Sequence, residues 1–371
     1  MNSVRFGVIG LGNIGRCHAD YLLEDKVSRA TLAAVASASP QKRRHYQQRG
    51  ALAFASGESL LAAGTVDAVI IATPHFQHPA FGIGALEAGI HALIEKPIAA
   101  HKADAEALLV ASRCRPNLLL GCMFQMRAEP RFQKMRELIR QGALGEIVRV
   151  NWINTDWYRT EAYYRSSDWR ATWRGEGGGV LLNQCLHNLD ALQWLCGQPA
   201  RVRGFCQFGR FHDIEVEDNV TAYLEWADGA TGVFVSSTGE APGTNRLEIA
   251  GTKGRLALEN DRLTLTRNET DMREFSRTAT EGFVKPASHT EAIPFEKAAA
   301  PHAAITQNFV NAILDGVPLL APGADGMHSL ELANAITLSS LENQTVELPM
   351  SGARWAQKLN SLIAAAPQRR D

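Results

Sequence analysis

The chain has 371 residues, 45% hydrophobic and 21% charged, with a formal net charge of −1 at pH 7. That length exceeds one ordinary core and suits two domains. The balanced charge excludes the basic field that would draw nucleic acid or an anionic membrane as partner. The N-terminus lacks a basic-then-apolar pattern and no apolar run approaches bilayer-spanning length, so neither a signal peptide nor a membrane helix is expected. The six cysteines show no C-x-x-C pairing and sit mostly in apolar segments. They read as buried free thiols of a reducing, cytoplasmic protein.

Up to residue 122, apolar strands alternate with helices. "VRFGVIG" reads as a strand, and Asn13 to about Glu24 as a helix. "TLAAVAS" is a second strand, followed by a charged helix through Lys42 to Gln48. "VDAVIIAT" is a nearly continuous apolar run ending at Pro74, the pattern of a strand buried on both faces. "HALIEKP" and "NLLLGC" repeat the theme. This alternation specifies a doubly wound parallel sheet over residues 1–122, a Rossmann-type dinucleotide-binding domain in an α/β protein.

Beyond residue 122 the pattern changes. A helix around Arg131–Gln141 leads into "EIVRVNWINTDW", which alternates like a strand with one exposed face. "EGGGVLLNQCLHNLDALQW", Glu176 to Trp194, reads as a glycine run opening an apolar helix. The spacing of Asn183, His187 and Asp190 places them on one face of such a helix. Short strands then follow in close succession, from "RVRGFCQF" to "RLTLTR", joined by tight turns such as "ADGA" and "GTKG", which indicates a large, mostly antiparallel sheet. Thr270–Ala300 lacks clear periodicity and is expected to be a long loop. Helices resume near Ala303–Leu314 and Gly326–Leu341 and are expected to pack back on the first domain. Residues 123–371 therefore read as a substrate-binding, oligomer-forming α+β domain.

"GLGNIG" has G-x-G-x-x-G spacing directly after a strand and at the start of a helix, the context that gives the motif its meaning. Gly10 permits the tight turn, Gly12 lets backbone approach a pyrophosphate, and Gly15 lets helix pack on strand. Asn13 and Ile14 complete the turn, where the helix N-terminus offers free N–H groups to phosphate. An acidic residue at the end of the second strand would hold a free ribose 2′-hydroxyl. Ser37 stands there instead, followed by Ser39, Lys42, Arg43 and Arg44. A hydroxyl with nearby cations suits a 2′-phosphate, so the residues lean slightly to NADP over NAD, although the same cations would also serve as an exposed helix face.

"EKP" puts Glu95 and Lys96 at the carboxyl end of a buried strand, the edge where open α/β sheets bind ligands. Partial burial would lower the Lys96 pKa toward acid–base range. A lysine there can equally snorkel to solvent, and position alone does not separate the two readings. "NTDWYRTEAYYRSSDWRATWRGE" is rich in Trp, Tyr and Arg. Rings stack on sugar faces and arginine forks suit anionic groups, so Arg159, Tyr163, Tyr164, Trp173 and Arg174 are substrate candidates, with an anionic sugar as an extension. Packing around a long loop explains each of them about as well. His75 and His78 lack a third partner, so no metal site is expected. Cys185 should point off the Asn183–His187 face.

Together these segments resemble the family of glucose–fructose oxidoreductase, inositol dehydrogenase and the MocA proteins, over most of the chain. "GVIGLGNIGRCH", "VDAVIIATPHFQHP", "EKPIA", "LIRQGALGEI" and "DWRATWRGEGGGVLLNQCLHNLDALQWLCG" resemble its motifs in order. The resemblance implies hydride transfer between NAD(P) and a sugar, inositol or related polyol, and a homo-oligomer (dimer or tetramer) built through the open sheet. It makes Lys96 and His187 the catalytic pair and places Thr73, Pro74, His75 and His78 near the cofactor's ribose and nicotinamide. It also brings Trp169 and Arg170 to the cofactor across the cleft. Many members carry an aspartate where this chain has Asn183, which can position a hydroxyl but adds no charge to raise the histidine pKa. Asp190 could orient His187, though a helix-surface or capping carboxylate is the simpler reading. An NAD-dependent glycoside hydrolase acting through a transient ketosugar is the alternative, and a non-catalytic cofactor sensor the distant third.

Overall fold

The computed structural model describes residues 2–297 and 299–366. Six strands build the first sheet: β1 (Val4–Ile9), β2 (Ala30–Ala36), β3 (Leu52–Phe54), β4 (Ala68–Ile71), β5 (His91–Ile94) and β6 (Leu120–Cys122). All pair in parallel, in the order β3-β2-β1-β4-β5-β6. Every residue of β4 is fully buried, as its unbroken apolar run requires of a central strand. The order reverses between β1 and β4, which opens a crevice at the carboxyl edge of the sheet.

The second sheet contains β7 (Ile147–Asn154), β8 (Arg201–Phe208), β9 (Glu217–Glu225), β10 (Thr231–Ser237), β11 (Asn245–Gly251), β12 (Gly254–Glu259), β13 (Arg262–Asn268), β14 (Ser288–Ile293) and β15 (Val346–Glu347). Its order is β14-β13-β12-β11-β7-β10-β9-β8-β15, antiparallel except where β7 meets β10. In β9, Val220, Ala222 and Leu224 face the core while Thr221 and Tyr223 are exposed. The register puts Phe205 and Ile153 on that same open face.

The segment 270–300 departs from the expected loop. It contains the helix Met272–Thr278, whose first turn is capped by Asp271, and the edge strand β14 on β13. An edge strand with solvent on both faces has no buried side to impose an apolar alternation, and β14 is exposed nearly throughout. Of the cysteines, Cys114 is exposed, while the other five are at least partly buried.

The C-terminal helices Pro301–Asp315 and Gly323–Glu342 tie the two sheets together. Arg29 pairs with Asp315, the Lys102 ammonium lies 2.6 Å from Glu331, and the Cys122 N–H donates to the Ala321 carbonyl. The most buried tie is ionic. The Arg127 guanidinium donates twice to Asp190, at 2.6 and 2.8 Å, and once to Asp325 at 2.6 Å. Asp190 therefore neither caps its helix nor orients His187; its side chain is fully enclosed and locks the helix Leu186–Cys196 in place. Removing one partner would leave a buried charge alone, which costs about 3–5 kcal/mol. Arg127→Met should lower unfolding free energy by that order in a denaturant titration; a loss within about 0.5 kcal/mol, the range of ordinary surface substitutions, would contradict this role.

Candidate functional site

Because the first sheet is parallel, its strand ends gather at one edge, and each carries part of the site. After β1, Gly10 has φ +95°, and a Cβ there would sit 2.5 Å from the Ala72 carbonyl oxygen. A Cβ at Gly15 would come within 1.9 Å of the Gly10 carbonyl oxygen, so turn and helix touch only because both are glycines. Gly12 meets nothing within 4 Å, and the helix Asn13–Leu23 that it opens has no side-chain cap. The open backbone with free N–H groups is the cradle a pyrophosphate needs.

At the end of β2, the Ser37 hydroxyl accepts the Ser39 N–H at 3.3 Å, and Arg43 reaches back to the Ser37 carbonyl. At the end of β4, the Thr73 hydroxyl is buried without a protein partner, an orphan suited to a ligand group. His75 and His78 are buried and engaged. His78 contacts the Pro97 and Thr73 carbonyls at 2.7 and 2.8 Å, and His75 the Glu176 carbonyl at 3.0 Å. Burial pushes the His75 pKa well down and lowers that of His78, where the Pro97 and Thr73 carbonyls oppose the shift. They clamp the crevice from behind. Trp169 stands edge-on to His75, and Arg170 stacks on Trp169 and Tyr163, so this pair does reach the cofactor-side loop from the second domain.

At the end of β5, Glu95 accepts from His18 at 2.7 Å, and the Lys96 ammonium donates to the Asn183 carbonyl at 2.6 Å. Burial pulls the Lys96 pKa below its ordinary value, opposed by the Glu95 and Glu176 carboxylates. His187 is 7% exposed. Burial, then the Lys96 charge, drives its pKa well below 6.5, so the ring is a neutral imidazole. Its Nε2 lies 3.0 Å from the Gln125 amide, and its Nδ1 has no partner.

The expected helix face does not form. The helix begins only at Leu186, and Asn183 lies in the turns before it. Glu217 is the cause: its carboxylate accepts the Gly179 and Leu181 N–H groups at 2.9 and 3.1 Å, and its carbonyl accepts that of Val180, so these residues are bound to β9. Burial pushes the Glu217 carboxyl up to about 7. Cys185 is buried, with its thiol pushed up to about 12 by burial.

A cavity of about 580 Å³ opens beside His187. Of the three catalytic candidates, only His187 lines it. Gln125, Trp157, Asp156 and Asn245 supply polar groups and a ring, while Arg131 is held between Glu129 and Asp261. None of the five aromatic and arginine candidates lines this cavity. Tyr164 and Trp173 are core residues, the first donating to the Thr238 hydroxyl and the second packed on Phe208. Arg174 is exposed, Arg159 donates to nearby carbonyls, and the Tyr163 hydroxyl accepts from Arg170. The aromatic signal was real, but Trp157 is the residue of that stretch that turns inward. Gln125 follows the sixth strand and Asp261 sits in a hairpin turn; no local pattern announced that either lines the cavity beside His187. Among the described residues, no group of three or more His, Cys, Asp or Glu could hold a metal ion.

Residues 4–120 match the family described as an oxidoreductase family with an NAD-binding Rossmann fold, and residues 132–257 match the GFO/IDH/MocA C-terminal domain. The chain belongs to the Gfo/Idh/MocA oxidoreductases. Similar proteins include inositol 2-dehydrogenase of Rhizobium meliloti, 27% identical over 93% of this chain and 99% of that one. Myo-inositol 2-dehydrogenase of Thermotoga maritima is 24% identical over 93% of this chain and 98% of that one. Among solved structures, the WlbA dehydrogenase of Bordetella pertussis, in complex with NADH and UDP-GlcNAcA, has a TM-score of 0.79 at 26% identity, covering 94% of this chain and all of that one. The orphan Thr73 hydroxyl and the open Gly12 cradle fit the NAD(P) of this oxidoreductase family.

Gly12 has ordinary backbone angles and open space above it, so Gly12→Ala should fold with an unchanged melting temperature. Its methyl group would occupy the approach to the pyrophosphate and weaken cofactor binding by about tenfold or more in a fluorescence titration. Unchanged affinity would remove the glycine turn from the cofactor site.

Proposed function

We propose that the protein is a cytoplasmic NAD(P)-dependent dehydrogenase of a neutral sugar, inositol or related polyol, acting at a secondary hydroxyl. The observation that carries this reading is the meeting of the partly buried Lys96 ammonium with the segment that bears Asn183 and His187, the latter on the wall of a polar cavity. Oxidation of a secondary alcohol removes a hydroxyl proton while hydride leaves carbon, and the bound nicotinamide is the hydride partner. His187, neutral and on the cavity wall, takes the proton at Nε2, the nitrogen that the Gln125 amide contacts until substrate displaces it. Lys96 polarises the same oxygen, and Asn183 positions the hydroxyl. Since burial holds His187 below 6.5, its basic form persists through neutral pH, and the acid limb of kcat/KM for oxidation should fall below 6.5.

Cavity charge supports a neutral substrate. Among the described residues Glu129, Asp156, Glu259 and Asp261 line it with one cation, Arg131, which Glu129 and Asp261 hold, and we read that balance as favouring a neutral sugar over an anionic one. The named relatives are dehydrogenases, which favours net oxidation over glycoside cleavage. The exposed Phe205, Tyr223 and Ile153 on the open sheet face supply an apolar surface for a dimer or tetramer.

Lys96→Ala and His187→Ala should each lower kcat for polyol oxidation by roughly a hundredfold or more while cofactor affinity stays near wild type. Wild-type turnover in both variants would rule the assignment out. Ser37 and Arg43 at the end of β2 favour NADP. Titration of both cofactors should show tighter NADP binding, and Ser37→Asp should shift the preference toward NAD; a wild-type preference for NAD overturns it.

A further inference from the structure

We propose that Glu176 is a positioning residue that supplies, from the start of the glycine run, the negative charge that Asn183 lacks. This rests on the dehydrogenase reading and deepens its least explained point. Glu176 is 2% exposed. One carboxylate oxygen accepts the Asn183 side-chain amide, and the other accepts the Ala171 N–H at 2.6 Å. Ala171 has φ +52°, a left-handed conformation that a residue with a Cβ adopts only when held, and the Glu176 carboxylate is what holds it. The Glu176 carbonyl accepts from His75, joining the same residue to the cofactor-side loop.

The chemistry follows from donor and acceptor counts. The Asn183 amide turns its NH2 to Glu176, and an ionised carboxylate, which only accepts, keeps it so. Burial pushes the Glu176 carboxyl up, and the Ala171 N–H, Arg170, Asn183 and Lys96 hold it down. That fixes the Asn183 oxygen as the outward end, and among the described residues no protein donor occupies it. Asn183 therefore offers a substrate hydroxyl an acceptor, the role a carboxylate at that position would fill. Meanwhile, Lys96 grips the backbone carbonyl of the same residue. Ammonium and carboxylate thus hold Asn183 from its two ends, and the charge missing from position 183 stands one hydrogen bond behind it.

Other charges face this pair. Glu95, Cys185, His75, His78, His187 and His302 face Lys96; His75, Tyr164 and Glu217 face Glu176; Arg170 acts on both. None of them touches Asn183 by hydrogen bond.

The test is a double-mutant cycle with two readouts. The first is kcat/KM for polyol oxidation across pH. The second is the pH dependence of Lys96 acylation, followed by peptide mass spectrometry, which needs no substrate. E176Q frees the amide to turn and removes a carboxylate near Lys96. It should lower kcat/KM by about tenfold or more and move Lys96 titration to lower pH. N183D puts two carboxylates in contact, so it should also lower kcat/KM while moving Lys96 titration to higher pH. The E176Q/N183D double variant restores one carboxylate and an amide donor, so it should exceed either single variant and titrate near wild type. Additive losses in the double variant, or unchanged Lys96 labelling in E176Q, overturn the assignment of Glu176. If E176Q fails to fold, the N183D kcat/KM carries the test: with Glu176 already supplying the charge a second carboxylate must lower it, and N183D activity at or above wild type overturns the assignment. Absence of any polyol oxidation by the wild type is a separate failure: it overturns the proposed function, while the labelling still judges Glu176.

Discussion

The hydrogen bond from the Lys96 ammonium to the Asn183 carbonyl joins the two halves of the protein at the candidate site. One partner hangs from the carboxyl end of β5, the other from the irregular segment before the helix Leu186–Cys196. A lysine at a strand end would ordinarily reach solvent. Here the second domain covers it, and burial lowers the ammonium's pKa against the pull of Glu95 and Glu176. Moving either sheet by a fraction of an ångström would loosen that contact. The ties around it are correspondingly strong: His75 to the Glu176 carbonyl, and Arg127 to Asp190 and Asp325.

Charges in this region are distributed rather than merely buried. Burial lowers the pKa of two imidazoles that clamp the crevice, His75 and His78, and of a third, His187, beside an open cavity. The carboxylates are assigned to backbone and side-chain donors: Glu217 to the glycine run, Glu176 to Ala171 and Asn183, and Asp190 to Arg127. Each leaves fewer unpaired polar groups in a low-dielectric space, which is where such groups are most costly.

Much of this was readable in the sequence where the cause is local. The glycine turn, the buried β4 run and the order of strand and helix depend on residues next to one another, so "GLGNIG" and "VDAVIIAT" carry their own evidence. The lysine at the end of β5 was legible by position, but its partner was not. The late start of the helix at Leu186 depends on Glu217, dozens of residues downstream, and helical periodicity cannot register a competitor for backbone N–H groups. Asp190 sat on the expected face, yet its fate was decided by Arg127 from another segment. The substrate wall failed for the same reason. Tyr164 and Trp173 have the right chemistry but face the core, whereas Trp157 from the same stretch, Gln125 and Asp261 come to line one cavity with His187 only through the fold. The family resemblance pointed to Lys96 and His187 as a candidate pair; the second domain's contacts supplied their geometry.

The most direct measurement is a spectrophotometric screen of free sugars, inositols and glycosides with NAD(P), read both for reduced cofactor and for released aglycone. The account predicts that a neutral free polyol generates reduced cofactor in proportion to product, with no dependence on a leaving group. Release of aglycone without net cofactor reduction would contradict it, and would mean that the Lys96 and His187 pair serves a transient oxidation on the way to bond cleavage.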